Sequence, residues 1–206
     1  MTAKQEYALV SLHPGYELRR YAGHAIAEVT VQASFTGSGN AAFRTLAGYI
    51  GGRNRARRKI PMTAPVAQTG PGTDGEPSER VAMTAPVTQR GTAEGGYAVA
   101  FVLPAGFRED TAPVPTDGRV RIRDVPETLA AVRRYRGGWS QESYEHHLAQ
   151  LRAALARDGV QTVGAPRFDR FNPPFTPRFL RRNEVVLEVA TGSAAPEAPG
   201  TSAPGA

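Results

Sequence analysis

The chain has 206 residues, 40% hydrophobic and 21% charged, the balance of a soluble globular protein with its own core rather than a disordered one. It contains no cysteine, which excludes disulfides, thiolate haem ligation, thiolate zinc sites and cysteine nucleophiles together. The formal charge of +6 is compatible with an anionic ligand, but the cations are not interleaved with a run of aromatics, so no nucleic acid partner is expected.

Lys4, Gln5 and Glu6 have no apolar run behind them, so neither a secretory leader nor a spanning segment is read here; a cytoplasmic monomer without a membrane partner is expected. Residues 1–13 read as a flexible arm. Tyr16, Leu18 and Arg20 alternate with Glu17 and Arg19, and after Ala22-Gly23-His24 a second extended run, Ala25–Val31, suggests a hairpin. Ser38-Gly39-Asn40 offers an N-cap for a helix whose stripe is Ala42, Phe43, Leu46, Ala47 and Ile50, closed by Gly51-Gly52. Arg53–Lys59 then carries five cations in seven residues, either a solvated connector or the mouth of a pocket for an anion.

Lys59-Ile60-Pro61-Met62-Thr63-Ala64-Pro65-Val66 is restated as Val81-Ala82-Met83-Thr84-Ala85-Pro86-Val87, with a Gly, Pro, Thr and Ser-rich loop between. Read with a period of two, each copy has one apolar face, and the prolines place these strands at an edge or a bulge. Tyr97–Leu103 is a further strand. Val120–Val125, the turn Pro126-Glu127 and Thr128–Tyr135 repeat the hairpin, and Ser140 caps a second helix with the stripe Tyr144, His147, Leu148, Leu151 and Leu155, stopped at Gly159. Arg167–Phe171 and Glu184–Val189 are two more strands, and residues 190–206 read as a disordered tail. The pattern is that of an α+β domain over 14–189, with two pseudo-symmetric halves of about 14–90 and 96–189.

Four ordered stretches resemble the SOUL haem-binding protein family: Tyr16-Glu17-Leu18-Arg19-Arg20-Tyr21, Tyr49-Ile50-Gly51-Gly52, the doubled Met-Thr-Ala-Pro-Val, and Phe171-Asn172-Pro173-Pro174-Phe175 followed by Arg181-Arg182-Asn183-Glu184-Val185. The resemblance implies a twisted antiparallel sheet or distorted β-barrel flanked by two helices. It also implies reversible, non-covalent binding of haem or another tetrapyrrole, as carrier, buffer or sensor, with the helix before Gly51-Gly52 as one wall. On that wall stand Phe43, Ala47 and Ile50, with methionines at the first two positions in animal members; Met62 faces inward from the first repeat.

A tetrapyrrole needs cations for its propionates, and Arg57, Arg58, Lys59 and, after the Pro-Pro turn, Arg178 are the candidates. Thr176 stands where the family has its lysine, and Arg178 is two residues on. Arg181-Arg182-Asn183-Glu184 reads instead as structural ion pairing. Arg20 occupies the place of a histidine regarded as the haem ligand in some animal members, and a guanidinium cannot ligate iron. His13 and His24 fall in the arm and a turn, and of His146 and His147 only His147 shares an apolar stripe, making it the one metal candidate, against the commoner reading of a packed histidine. No nucleophile and base pair, His-Glu-x-x-His motif or phosphate loop is present, so no catalytic site is expected. The alternative is a module for another amphipathic effector or a protein segment.

Overall fold

The computed structural model describes residues 3–56, 78–82, 84–172 and 175–190. In chain order these form β1 (Ala3–Lys4), β2 (Ala8–His13), β3 (Tyr16–Tyr21), β4 (His24–Val31), α1 (Phe35–Ile50), β5 (Asn54–Arg55), β6 (Thr84–Gly91), β7 (Tyr97–Val102), β8 (Val114–Pro115), β9 (Arg121–Val125), β10 (Thr128–Arg136), α2 (Gln141–Arg157), β11 (Thr162–Arg170) and β12 (Arg182–Val189). The chain divides into two compact units, Met1–Gln5 with Gly23–Pro126, and Glu6–Ala22 with Glu127–Ala206. They are interleaved in sequence, where consecutive halves were the expectation. The fold class is α+β, and among the described residues neither unit's sheet closes on itself, so the open-sheet form of the expectation holds rather than the barrel.

In the first unit the antiparallel order is β6-β7-β4-β9, with β1 parallel to β6. Ala25, Ala27 and Val29 alternate toward α1 and meet Ala42, Leu46, Tyr49 and Ile50 from the helix and Val99, Phe101 and Leu103 from β7 and its end. This cluster holds the unit together, each fully buried Val, Leu or Phe contributing roughly 1.5–3 kcal/mol. In the second unit the order is β2-β3-β10-β12-β11, and Tyr144, Leu148, Leu151, Ala154 and Leu155 form the buried stripe of α2. Setting aside β1 and β2, both units have the same strand plan, β9-β4-β7-β6 and β3-β10-β12-β11.

The two expected hairpins do not form: β3 pairs with β2 and β10, and β4 with β7 and β9. Alternation specifies which face a strand buries and is silent about its neighbour. The chain leaves the second unit at Ala22-Gly23 and returns to it at Pro126-Glu127, so both supposed turns are crossings between units. Residues 3–4 and 8–13, expected as a loose arm, are strands paired with β6 and β3.

Helix α1 begins one turn earlier than expected. Its N-cap is Ser34, whose hydroxyl accepts from the Gly37 amide at 3.2 Å, not Ser38. Gly37, Gly39 and Asn40 are poor helix formers, but Ser38 and Gly39 are buried where a small side chain lets the helix settle on its sheet, and Phe35 packs edge-on to Tyr97 at 5.9 Å. Ser34→Ala is therefore expected to cost about 1 kcal/mol, read as a lower urea midpoint with unchanged slope. The Ser140 cap and the Gly159 stop of α2 are as read from sequence, Gly159 adopting φ +68°. Strand β6 starts at Thr84, with an irregular register between Thr84 and Val87 at its proline. The first repeat copy, with Met62, and also Met83, lie outside the described residues, as does 191–206.

Candidate functional site

The stripe expected to face a ligand splits in two. Ile50 is buried in the core with Ala42 and Leu46, so it packs against the sheet and is not a ligand wall. Phe43 is 40% exposed and Ala47 is half-buried, on the flank of the helix next to that core. The Phe43 ring meets the core ring of Phe101 edge-on, at 5.8 Å between centroids. Buried side chains of helix and sheet pack in one cluster, so among the residues of this stripe it is Phe43 and Ala47 that remain accessible to a ligand.

One residue round the helix from Phe43 and Ala47 are Arg44 and Gly48. The absence of a side chain at Gly48 lets Arg53 lie across the helix: a Cβ there would stand 3.0 Å from the Arg53 Cδ. The Arg53 backbone is held by Thr116, whose hydroxyl donates to its carbonyl at 2.9 Å, and by β5 pairing with β8. Neither Arg44 nor Arg53 has an ion pair among the described residues. Both line a cleft of about 80 Å³ with Thr45, Tyr49, Asp117 and Arg119. Asp117 is already committed, accepting from Arg119 Nε at 3.0 Å and Nη2 at 2.7 Å, and that hydrogen bonding holds its carboxyl at about 2. The cleft thus keeps two guanidinium groups that make no ion pair among the described residues, although Arg53 is near enough to Asp117 to help lower its carboxyl.

At 80 Å³ the cleft admits a carboxylate and not a macrocycle, since pockets for drug-sized molecules run about 300–1,000 Å³. A larger depression of about 560 Å³ in the same unit is lined, among the described residues, by the charged side chains Arg108, Glu109, Asp110 and Asp124. The chemistry of these residues suits a tetrapyrrole: Phe43 and Ala47 are apolar and accessible, and Arg44 and Arg53 are cations of the kind that propionates pair with. They supply no axial donor from α1, whose one Tyr, Tyr49, is buried and donates to the Pro113 carbonyl at 3.0 Å.

Arg57, Arg58 and Lys59 lie outside the described residues, but their flanks are stapled. Asn54 Nδ2 donates to the Tyr49 and Glu79 carbonyls at 2.8 and 2.7 Å, and its Oδ1 accepts from the Glu79 amide at 2.8 Å. Arg178 belongs to the second unit and is exposed there on a 3-10 turn, Arg178–Leu180. His147 stacks on Tyr135 at 4.0 Å, its Nδ1 lies 3.2 Å from Gln150 Oε1, and burial lowers its pKa. That is a packed histidine, and among the described residues no cluster of His, Asp and Glu could hold a metal.

Sequence reasoning found the ion pairing of Arg181-Arg182-Asn183-Glu184 but not the buried charges that it meets in the second unit. On the sheet face opposite α2, Arg19 is fully buried and grips Glu184 through Nη1 at 2.8 Å and Nη2 at 3.2 Å, donates to Glu17 at 2.8 Å and to the Tyr21 hydroxyl at 3.1 Å, and lies 4.1 Å above the Tyr7 ring. Arg182 reaches Glu184 at 2.7 Å and Arg134 reaches Glu17. Asn183 accepts from the Trp139 indole at 2.9 Å. Arg181-Arg182-Asn183-Glu184 is thus occupied structurally. The available signal was the alternation of charge on three segments, Glu17/Arg19, Arg167/Asp169 and Arg182/Glu184, which puts every one of these groups on a single face.

Residues 2–188 match the family described as SOUL heme-binding protein, and the chain belongs to that family. The family is a haem-binding one, consistent with a non-covalent haem here. No curated protein matches the chain. Among solved structures, the C-terminal domain of EcmrR is similar with a TM-score of 0.58 and 10% identity, over 85% of this chain and 98% of that one. EcmrR in complex with DNA gives the same score over 84% of this chain and 56% of the other. A hydrolase from Listeria innocua is similar at 0.51 and 12% identity, over 84% and 91%. At these identities the likeness is one of fold. Among the described residues no helix is long and apolar enough to cross a membrane.

Proposed function

We propose that the chain binds haem or a related tetrapyrrole reversibly on the outer flank of α1, as a carrier, buffer or sensor and not as an enzyme. The observation that carries the reading is the exposed Phe43 ring, with Ala47 one turn on, beside Arg44 and Arg53, which make no ion pair among the described residues, in a member of a haem-binding family. The plate would cover Phe43 and Ala47, and its propionates would meet the two guanidinium groups, which hold carboxylates by parallel hydrogen bonds. Arg57, Arg58 and Lys59 follow Asn54 closely enough, Arg57 within about 11 Å of it along the chain, to extend the cationic edge. Met62, a few residues further on, would add a soft apolar contact.

Affinity on this reading comes from burial and propionate pairing, with iron left without a strong protein ligand. Haem and metal-free protoporphyrin are then expected to bind alike, with one equivalent saturating the absorbance change. Phe43→Asp is expected to weaken binding about tenfold or more, and Arg44→Ala with Arg53→Ala three- to tenfold, the worth of exposed charged pairs. Spectra of free haem at equimolar protein would sink the proposal. Since α1 has no axial donor, the second reading is a module for another flat, anionic effector; a porphyrin-free competitor that displaces haem would favour it.

A further inference from the structure

The turn between β11 and β12 of the second unit carries three large apolar side chains in water: Phe175 at 85% exposure, Phe179 at 72% and Leu180 at 48%. The turn is not slack. The Arg181 Nε donates to the Thr176 carbonyl at 2.8 Å while its guanidinium lies 4.1 Å over the Trp139 ring. The Leu180 amide donates to the Pro177 carbonyl at 3.0 Å, and the Asn172 side chain accepts from the Arg182 amide at 2.6 Å. Residues 170–183 include four arginines and no acid. Arg182 is turned to Glu184, while Arg178 is exposed and has no ion pair among the described residues.

We propose that this turn docks the protein on an anionic lipid surface, with Phe175, Phe179 and Leu180 seated in the interfacial layer and Arg178 and Arg181 beside the lipid phosphates. A protein partner would need a recess shaped to these side chains. A bilayer needs none, and a turn that leaves Phe175 85% and Phe179 72% exposed while hydrogen bonds hold its described residues suits it. The lack of any carboxylate along the turn matches a negative headgroup layer. The expectation of no membrane partner rested on the want of a spanning segment, which bears on crossing a bilayer and not on resting against one. The proposal is independent of the tetrapyrrole reading, and it gives Arg178 a different task from the propionate contact expected of it.

The full chain is sedimented with vesicles of phosphatidylcholine alone and of equimolar phosphatidylcholine and phosphatidylglycerol. Binding to the mixed vesicles, weakened by salt, is expected, with little to the neutral ones. Phe175→Ser with Phe179→Ser should reduce it about tenfold or more, and Arg178→Gln about fivefold. Both rings are exposed, so unchanged thermal unfolding is the control for fold. As a second readout, Phe175→Trp should shift its indole emission to the blue on adding mixed vesicles. Equal binding by the double serine variant, no binding to mixed vesicles, or unshifted emission overturns the proposal. So does a concentration-dependent dimer that the serine variant abolishes without any vesicle binding, since a second copy would then cover the turn.

Discussion

Arg19→Met is expected to cost about 3 kcal/mol of folding stability, because breaking a buried pair strands the other charge. For a chain of this size that is a fall in Tm of roughly 6–12 °C. Arg19 and Glu184 are both about 1% exposed at the side chain and meet through two parallel hydrogen bonds. Removing the guanidinium leaves Glu184 with Arg182 at 2.7 Å and Arg134 Nε at 3.8 Å, which limits the loss without cancelling it. It also leaves the Tyr21 hydroxyl and the Tyr7 ring without their partner. Replacing both, Arg19→Met with Glu184→Leu, is expected to return at least half of the stability, as paired buried charges often exchange for apolar groups with little loss. Urea denaturation of the two single variants and the double decides it. A single variant costing under about 1 kcal/mol would show that the network is solvated in practice.

The comparison of sequence with structure explains which features were legible. The core face of α1 was, because Ala42, Leu46 and Ile50 recur at helical spacing and are buried. Its first turn was not: Gly37, Gly39 and Asn40 have low propensity, and only burial of Ser38 and Gly39 makes their small size an advantage. Strands were visible from alternation, yet their partners were not, so the segments at Tyr16 and His24 were joined in one hairpin when each pairs within a different unit. The proposed ligand flank was half legible. Phe43 and Ala47 are on it, but Ile50, of the same stripe, is not, since a stripe wider than the sheet contact leaves one margin outside. Arg53 was legible only as the first of a run of cations and Arg44 not at all, since neither stands out by itself in sequence; what distinguishes them is their place in one cleft, without an ion pair among the described residues, and the bare helix at Gly48.

Stability should rise as pH falls from about 7 toward 4.5 through Asp169, by on the order of 2 kcal/mol. Asp169 is buried on β11, and burial pushes its carboxyl up from 3.8 to about 6. It stands directly across from the equally buried Glu184 in the β11–β12 ladder, which raises it further, while Arg167 and Arg19 pull the other way. Arg167 donates to Oδ2 through Nε at 3.2 Å and Nη2 at 3.0 Å, and the same Nε lies 2.9 Å from Oδ1, so both carboxylate oxygens face the guanidinium and burial is what raises the group. An acid whose folded pKa lies above its unfolded value holds its proton more tightly in the native state. Its contribution is complete below 3.8 and is lost as pH rises through about 6. His147 acts oppositely: its pKa is lowered by burial, so its share is present above 6.5 and declines as pH falls. Asp117 and Asp158 are both lowered, so their shares fade only below about 3.8, outside this window. Asp169→Asn removes the one titration and leaves the others, so subtracting its stability curve from that of the parent isolates Asp169. The difference should shift in favour of the parent by the stated amount between about pH 6.5 and 4.5. Parallel curves across that interval would mean that Arg167 neutralises Asp169 fully and that the opposed Glu184 exerts no net repulsion.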